Sequence, residues 1–425
     1  MFSLSLSAEI RSRFACVDED PDYGTRLFFD NSGGSLRLKE AIRIKEAIDL
    51  LPDCPERQHR RALDFQELIA KGIQDVLGTV FGAGSGKLMV EQSASQAMFQ
   101  VVAAIMENVG GGNAVTTNVE HPSAYDAVKF YCEKTQRAFR VAAADRDGFV
   151  TPQSVAALVD EQTVLVSVIA SSNISGNIMD LPGIIRAIRA KNPNVYIITD
   201  AVQHMPHGTL DVEALGIDAA NFAPYKFFGG RGVGFAYLSP RLARLPHHRL
   251  LDKPEDTWIL GTPTPSVFAS FSAVIDYVCW LGKTCGGQGS RRDLYLSGMH
   301  AIEEQERFLL HRLLEGGGEM PGLRHQPKVR VYADTPDLSR RDLIVAMGIE
   351  GWDFEALRLA YERAGVVVYE RVNSSIYSRR IVEALGLSGA LRVSPLHCHT
   401  AEDIDRFLAV TAELADAAPP HVLAK

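Results

Sequence analysis

Two repeating patterns alternate along the first part of the chain. Runs of β-branched, aliphatic and aromatic residues at 115–119, 163–170, 195–199 and 217–222 read as strands, the second apolar enough to be buried on both faces. Shorter strands are expected at 87–90 and 233–238. Between them, apolar residues recur at helical spacing: after Ser93, a good N-cap, come Ala97, Met98, Val101, Val102 and Ile105 on one face. Further helices are expected across 37–78 with a break at 52–55, and at 152–159, 181–190 and 267–281. Residues 1–27 are mostly polar, and 27–30 lead into the turn NSGGS. Strands alternating with helices predict an α/β fold with a large, mostly parallel sheet.

The rhythm changes near residue 295. A helix at 298–315 leads to three glycines, then strands at 329–332 and 341–349, a helix at 353–365 and a strand at 366–370. The closing LRVSPLHCHTAEDIDRFLAVTAEL reads as strand, loop and capped helix. A small α+β C-terminal domain follows from this. We place the large domain at 1–290, with N-terminal residues able to join the small one, and the small domain at 291–425. Residues 285–293, CGGQGSRRD, read as a flexible bend.

Composition narrows the class. The 425 residues carry a formal net charge of -8, which gives no support to a nucleic-acid surface. No apolar run is expected to span a membrane, and the N-terminus lacks the basic and apolar regions of a signal peptide. Cysteines at 16, 54, 132, 279, 285 and 398 show no metal-like spacing. Reduced thiols, a cytoplasmic location and no metal are the expectations.

The chemistry gathers where strands end. The strand at 195–199 stops at Asp200, and the run to Phe222 stops shortly before Lys226 and four glycines, 229, 230, 232 and 234. Strand ends are where open α/β sheets place ligands. An acid and a lysine so placed suit pyridoxal 5'-phosphate (PLP): the amine condenses with its aldehyde, and the acid keeps its pyridine nitrogen protonated. Upstream, the helix opening at Ser93, Ala94 and Ser95 offers free N–H groups to a phosphate.

TDAVQHMPHGTLDV followed by PYKFFGGRGVGFAYL resembles the PLP segment of the class V aminotransferase and cysteine desulfurase family, above all its desulfurase-like subfamily. The likeness covers roughly residues 25–412. It implies PLP-dependent transferase fold type I and a homodimer. It also assigns roles by position: the cofactor phosphate at Ala94 and Ser95, and the pyridine ring against His121 of EHPS. Asn173 and Gln203 fall beside the phenolic oxygen, and Thr262 of GTPTP at the neighbouring subunit's phosphate. Asn31 falls in the entrance turn, and Arg392 at the substrate carboxylate, which its planar fork suits. Departures occur at Ala223 and Tyr225, where the family carries serine and histidine; the tyrosyl oxygen can supply one lost contact. Arg60 and Arg61 remain alternatives for the carboxylate. His204 and His207 read as structural.

Desulfurases carry a catalytic cysteine shortly before the arginine motif, and 370–387, ERVNSSIYSRRIVEALGL, contains none. Cys398 lies beyond it. The expectation is therefore a PLP enzyme acting on a small amino acid by β-elimination of the C–S lyase type. Transamination comes second; desulfuration, epimerisation and decarboxylating deamination follow. Ser374, Ser375, Tyr377, Ser378 and Arg379 would bind a polar substrate side chain. A non-catalytic PLP-binding regulator is the alternative of another class, disfavoured without a basic helix-turn-helix segment.

Overall fold

The computed structural model describes residues 1–52, 54–417 and 419, and a seven-stranded sheet organises its larger part. Its strands are β1 (Lys87–Glu91), β2 (Asn113–Thr117), β3 (Ala138–Ala142), β4 (Thr163–Ile169), β5 (Tyr196–Asp200), β6 (Ala219–Phe222) and β7 (Gly234–Leu238). They lie in the order β1-β7-β6-β5-β4-β2-β3, and only β7 runs against its neighbours. β4 is buried at all seven positions, so its sequence has no polar face to show. Separate hydrophobic clusters cover the two faces, one holding Val166, Phe222 and Phe235, the other Leu165, Ile198 and Ala236.

The C-terminal part holds a four-stranded antiparallel sheet. Its strands are β8 (Val329–Tyr332), β9 (Val345–Ile349), β10 (Tyr369–Val372) and β11 (Gly389–Val393), in the order β8-β9-β11-β10. One face, with Leu391 and Val393, packs into its own core. Ala346 and Ala390, on the other face, belong to the core cluster of the large sheet.

Several expected elements change their bounds. The strand at 366–370 divides: Val366–Val367 pairs in parallel with Leu27–Phe28, and β10 then turns to β11. The N-terminal segment, through Leu27 and Phe29, therefore packs into the core of the small sheet. The helix expected at 298 begins at Arg291, because Ser290 and Asp293 form a capping box that extends it by two turns. The bend is correspondingly shorter. The helix at 152–159 stops at Ala156. Helix Lys39–Asp49 precedes helix Arg60–Gln74, and Asp53, within the expected break, lies outside the described residues.

Helix Pro265–Thr284 corrects the reading that no run approaches membrane-spanning length. Its 20 residues reach a mean hydropathy of 1.2, sufficient to cross a bilayer. It packs instead against helices Lys39–Asp49, Arg60–Gln74 and Arg291–Glu315, and 78% of its apolar window is buried. A helix apolar all round is what a large protein core requires.

Candidate active site

Asp200 ends β5 and is 3% exposed; its Oδ1 accepts from the Val202 N–H at 3.0 Å. β6 runs into the one-turn helix Pro224–Lys226, which buries the Lys226 side chain to 8% exposure. The turn closes on itself, since the N–H groups of Phe227 and Gly229 both donate to the Pro224 carbonyl at 2.8 Å. The segment after Asn31 clamps it from outside. Ser35 N–H donates to Tyr225 O at 3.0 Å, Phe228 N–H to Ser35 Oγ at 3.0 Å, and Leu38 N–H to Phe228 O at 2.9 Å. Arg37 also donates to Tyr225 O, and the Arg231 guanidinium lies 4.2 Å from the Tyr225 ring centroid.

Lys226 Nζ donates to Gln203 Oε1 at 3.3 Å. Burial, then the positive charge of Arg392, brings the lysine pKa down to about 7, against the pull of Asp200. Burial likewise raises Asp200. A lysine that is partly neutral near neutral pH is a competent nucleophile and base.

His121 caps helix Pro122–Lys134: its Nδ1 accepts from the Ser123 N–H at 3.2 Å and lies 2.7 Å from Ser123 Oγ. Burial, then Lys226, Arg371 and Arg380, lowers its pKa to about 3. The ring is neutral at neutral pH, with its proton on Nε2 because Nδ1 accepts. Glu120, just before it, is fully buried; Thr117 Oγ1 and the Ile169 N–H both donate to its Oε1, at 2.8 and 2.7 Å. Burial pushes this carboxyl up to about 8.

Across the pocket, helix Ala94–Asn108 presents its N-terminus. Ser93 Oγ accepts from the Gln96 N–H at 3.2 Å, which leaves the first-turn N–H groups of Ala94 and Ser95 for another acceptor. Two devices fix this helix end. Asn221 Nδ2, on β6, donates to Ala94 O at 3.0 Å. Gly234, opening β7, lies so close that a Cβ there would come within 2.2 Å of Ala94 N, which excludes any side chain.

Ala94, Ser95, His121 and Asn173 thus face Asp200, Gln203, Tyr225 and Lys226 around one pocket. Arg392 is buried behind Asn173, donating from Nη1 to Asn173 O at 3.1 Å and from Nη2 to Asp30 Oδ1 at 2.7 Å, with Nε unpartnered among the described residues. The pocket fits PLP on its own polar groups. Free helix N–H groups stand at one side, an acid and a lysine at the other. Among the described residues, the buried Asn173 Oδ1 has no hydrogen-bond partner.

Other expected site residues sit elsewhere. Asn31 is a structural clasp: Nδ2 donates to Phe28 O and Ser394 O at 3.1 and 2.9 Å, and Oδ1 accepts from the Leu36 N–H at 2.9 Å. It has no donor left for substrate. Thr262 is exposed and outside the pocket of its own chain. Arg60 and Arg61 are exposed at a helix start, and Arg61 pairs with Asp64 at 3.4 Å. Arg379 Nε donates to Asn373 O at 2.7 Å and Ser378 Oγ to Val372 O at 2.9 Å, so both serve their own loop. Sequence reasoning quoted Ser123 in EHPS without giving it a role, and overlooked Asp30. It also overlooked Arg371, which carries no motif.

The sheet order, and a buried lysine and acid opposite a helix N-terminus, define a PLP-binding enzyme fold. The family description "Aminotransferase class-V" matches residues 27–282, and the chain belongs to that family. It is a PLP-dependent enzyme. Among its relatives, the chain is 24% identical to the aminotransferase-like protein FGM3 of Gibberella zeae, over 96% of this chain and 98% of that one. It is 22% identical to a probable cysteine desulfurase of Synechocystis, over 95% and 94%. The solved apo cysteine desulfurase of Thermococcus onnurineus superposes with a TM-score of 0.81 at 20% identity, covering 98% and 99% of the two chains. A NifS-like protein of Rickettsia africae gives 0.74 at 16% identity, over 92% and 100%.

Proposed function

We propose that the chain eliminates a leaving group, sulfur or similar, from the β-carbon of an amino acid, without a protein-bound persulfide. PLP, when bound, supplies the electron sink for charge left at the α-carbon. Lys226 takes the α-proton with an amine whose pKa burial lowers toward neutrality. Asp200 holds a proton at the pyridine nitrogen. The neutral His121 ring, which lines the same pocket, would pack against the cofactor and keep water from it. Arg392 receives the α-carboxylate, for which its unpartnered Nε–H is available. Thr262, exposed in its own chain, serves the phosphate site of a second subunit in a homodimer; a fully active monomer on sedimentation contradicts that part.

The distribution of thiols carries the reading. Residues 372–387 contain no cysteine, and Cys398 is 2% exposed, beyond Arg392 and beside Arg11 and Asp403. Burial raises its thiol pKa well above the usual range, so it holds little thiolate for sulfur transfer. The leaving sulfur then departs with the electrons of its bond to the β-carbon, and water completes release of keto acid and ammonia. The test offers cysteine or a cysteine conjugate and follows keto-acid release with and without a keto-acid acceptor, and added sulfur by intact mass. Release without acceptor and no added sulfur are expected. A persulfide on Cys398 that Cys398→Ser abolishes together with turnover restores the desulfurase reading. Transamination is the second reading, favoured by the end-to-end likeness to the aminotransferase-like relative; it predicts release only with acceptor.

A further inference from the structure

The small sheet carries a second arginine on the face that bears Arg392. In the antiparallel register of β10 and β11, Tyr369 lies opposite Arg392 and Arg371 opposite Ala390. Opposed residues share a face, and so do residues two apart, so Arg371 and Arg392 project together. Ala390 places that face toward the large sheet, whereas Glu370 on the reverse face pairs with Arg358 at 2.7 Å.

Arg371 is 9% exposed, yet among the described residues no carboxylate pairs with it. Its one side-chain hydrogen bond runs from Nη2 to Tyr377 O at 2.9 Å, and its buried Nε has no partner. Arg392, by contrast, has Asp30. Asp30 and Glu370 attract Arg371 without pairing directly, and a buried cation so weakly compensated is costly. Its charge reaches the pocket, depressing the pKa values of both Lys226 and His121, while burial and then Arg392 lower its own to about 10. On the reading above, the α-carboxylate would go to Arg392 and the cofactor phosphate to the helix N-terminus at Ala94. Neither is assigned to Arg371.

We propose that Arg371 binds a second anionic group, so that the enzyme prefers amino acids whose side chain, or leaving group, carries a carboxylate or sulfonate. This rests on the amino-acid reading of the site above. Arg371 is a specificity residue; it takes no part in moving the α-proton.

The holoenzyme is titrated with L-aspartate and its isostere L-asparagine, and with L-cysteate and L-serine, following the cofactor absorbance. Aspartate and cysteate are expected to half-saturate at concentrations roughly tenfold to a hundredfold lower than their neutral partners, as suits a charge-assisted pair. Arg371→Gln should erase that ratio without weakening asparagine, and Arg371→Lys should keep part of it. The ratio in the unaltered enzyme tests the inference even if a variant does not fold. Equal response to acidic and neutral partners overturns it while leaving the amino-acid reading intact. So does an Arg371→Gln enzyme that weakens both equally, which marks Arg371 as a loop anchor through Tyr377. If no amino acid alters the spectrum of cofactor-loaded protein, both readings fall.

Discussion

The turn after Asp200 serves two polar regions of opposite character. Gln203 faces Lys226 in the cofactor pocket; His204 and His207 face a separate cavity of about 250 Å³. In that cavity every imidazole has a carboxylate. His207 Nδ1 lies 2.7 Å from Glu306 Oε2, His204 Nδ1 lies 3.2 Å from Asp342, and Glu306 Oε1 also accepts from the His397 N–H at 3.2 Å. The chain continues through His397 Nε2 to Tyr277 Oη at 2.7 Å. In the lining of the cofactor pocket Asn173 Oδ1, and on the small sheet Arg371 Nε and Arg392 Nε, are buried without partners among the described residues. Both regions are rich in titratable groups, so richness alone does not mark a site. Nor do buried orphans alone, since His397 Nδ1 and hydroxyls such as those of Ser266 and Ser272 also lack hydrogen-bond partners among the described residues. The cofactor pocket differs because its orphan stands beside a buried lysine and acid and a free helix N-terminus.

Substitutions should separate the two regions. Lys226→Ala should cost roughly 10²–10⁴-fold in turnover by removing the base, while apo-protein stability holds or rises, since a buried cation goes. A large fall in Tm would instead make Lys226 structural. Glu306→Gln should do the reverse, destabilising by about 3 kcal/mol by stranding His207 and leaving kcat close to normal. Chemical denaturation and steady-state kinetics on the same preparations decide this.

Acid titration gives a middle-sized contrast. Burial favours the protonated Glu306 carboxyl, but His207 and His397 hold it down to about 2. Its stabilising contribution is therefore full above the unfolded carboxylate pKa and lost as pH falls toward 2. His207, raised by Glu306 against burial, adds stability below its unfolded pKa of about 6.5 and loses it as pH rises through its folded pKa. His121 has the opposite sign: with a folded pKa of about 3, it costs stability as pH drops below about 6.5. His121→Gln should flatten the loss of stability between those values, and His207→Gln should not. The smallest stability effect is expected for Asn173→Ala, under about 0.5 kcal/mol because its orphan oxygen contributes nothing to the apo fold, with PLP affinity falling about tenfold. A cost like that of a clasp residue such as Asn31 would contradict this.

What the sequence made legible was local. Asp200, Gln203 and Lys226 stand at strand ends, and strand ends can be read from the apolar runs before them. The start of helix Ala94–Asn108 shows in Ser93 and the periodic face behind it. Pairings between distant segments did not show. Arg371 acquires meaning only when β10 lies beside β11, and no pattern in YERV announces that. Asn31 fell in the entrance turn by resemblance, yet its side chain is taken up by Ser394 and Phe28. The VVVYE run looked like one strand because its break depends on Leu27–Phe28, far away in sequence. Thr262 is exposed and lies outside the pocket of its own chain, so its expected role is not one a single chain can display.

The account stands on the unsatisfied pocket being the cofactor site, with Lys226 at its centre. Borohydride reduction of the holoenzyme, followed by peptide mapping, tests this directly. The account predicts a pyridoxyl group on Lys226 alone, absent from Lys226→Ala. Label on a different lysine, or undiminished labelling of the variant, contradicts it.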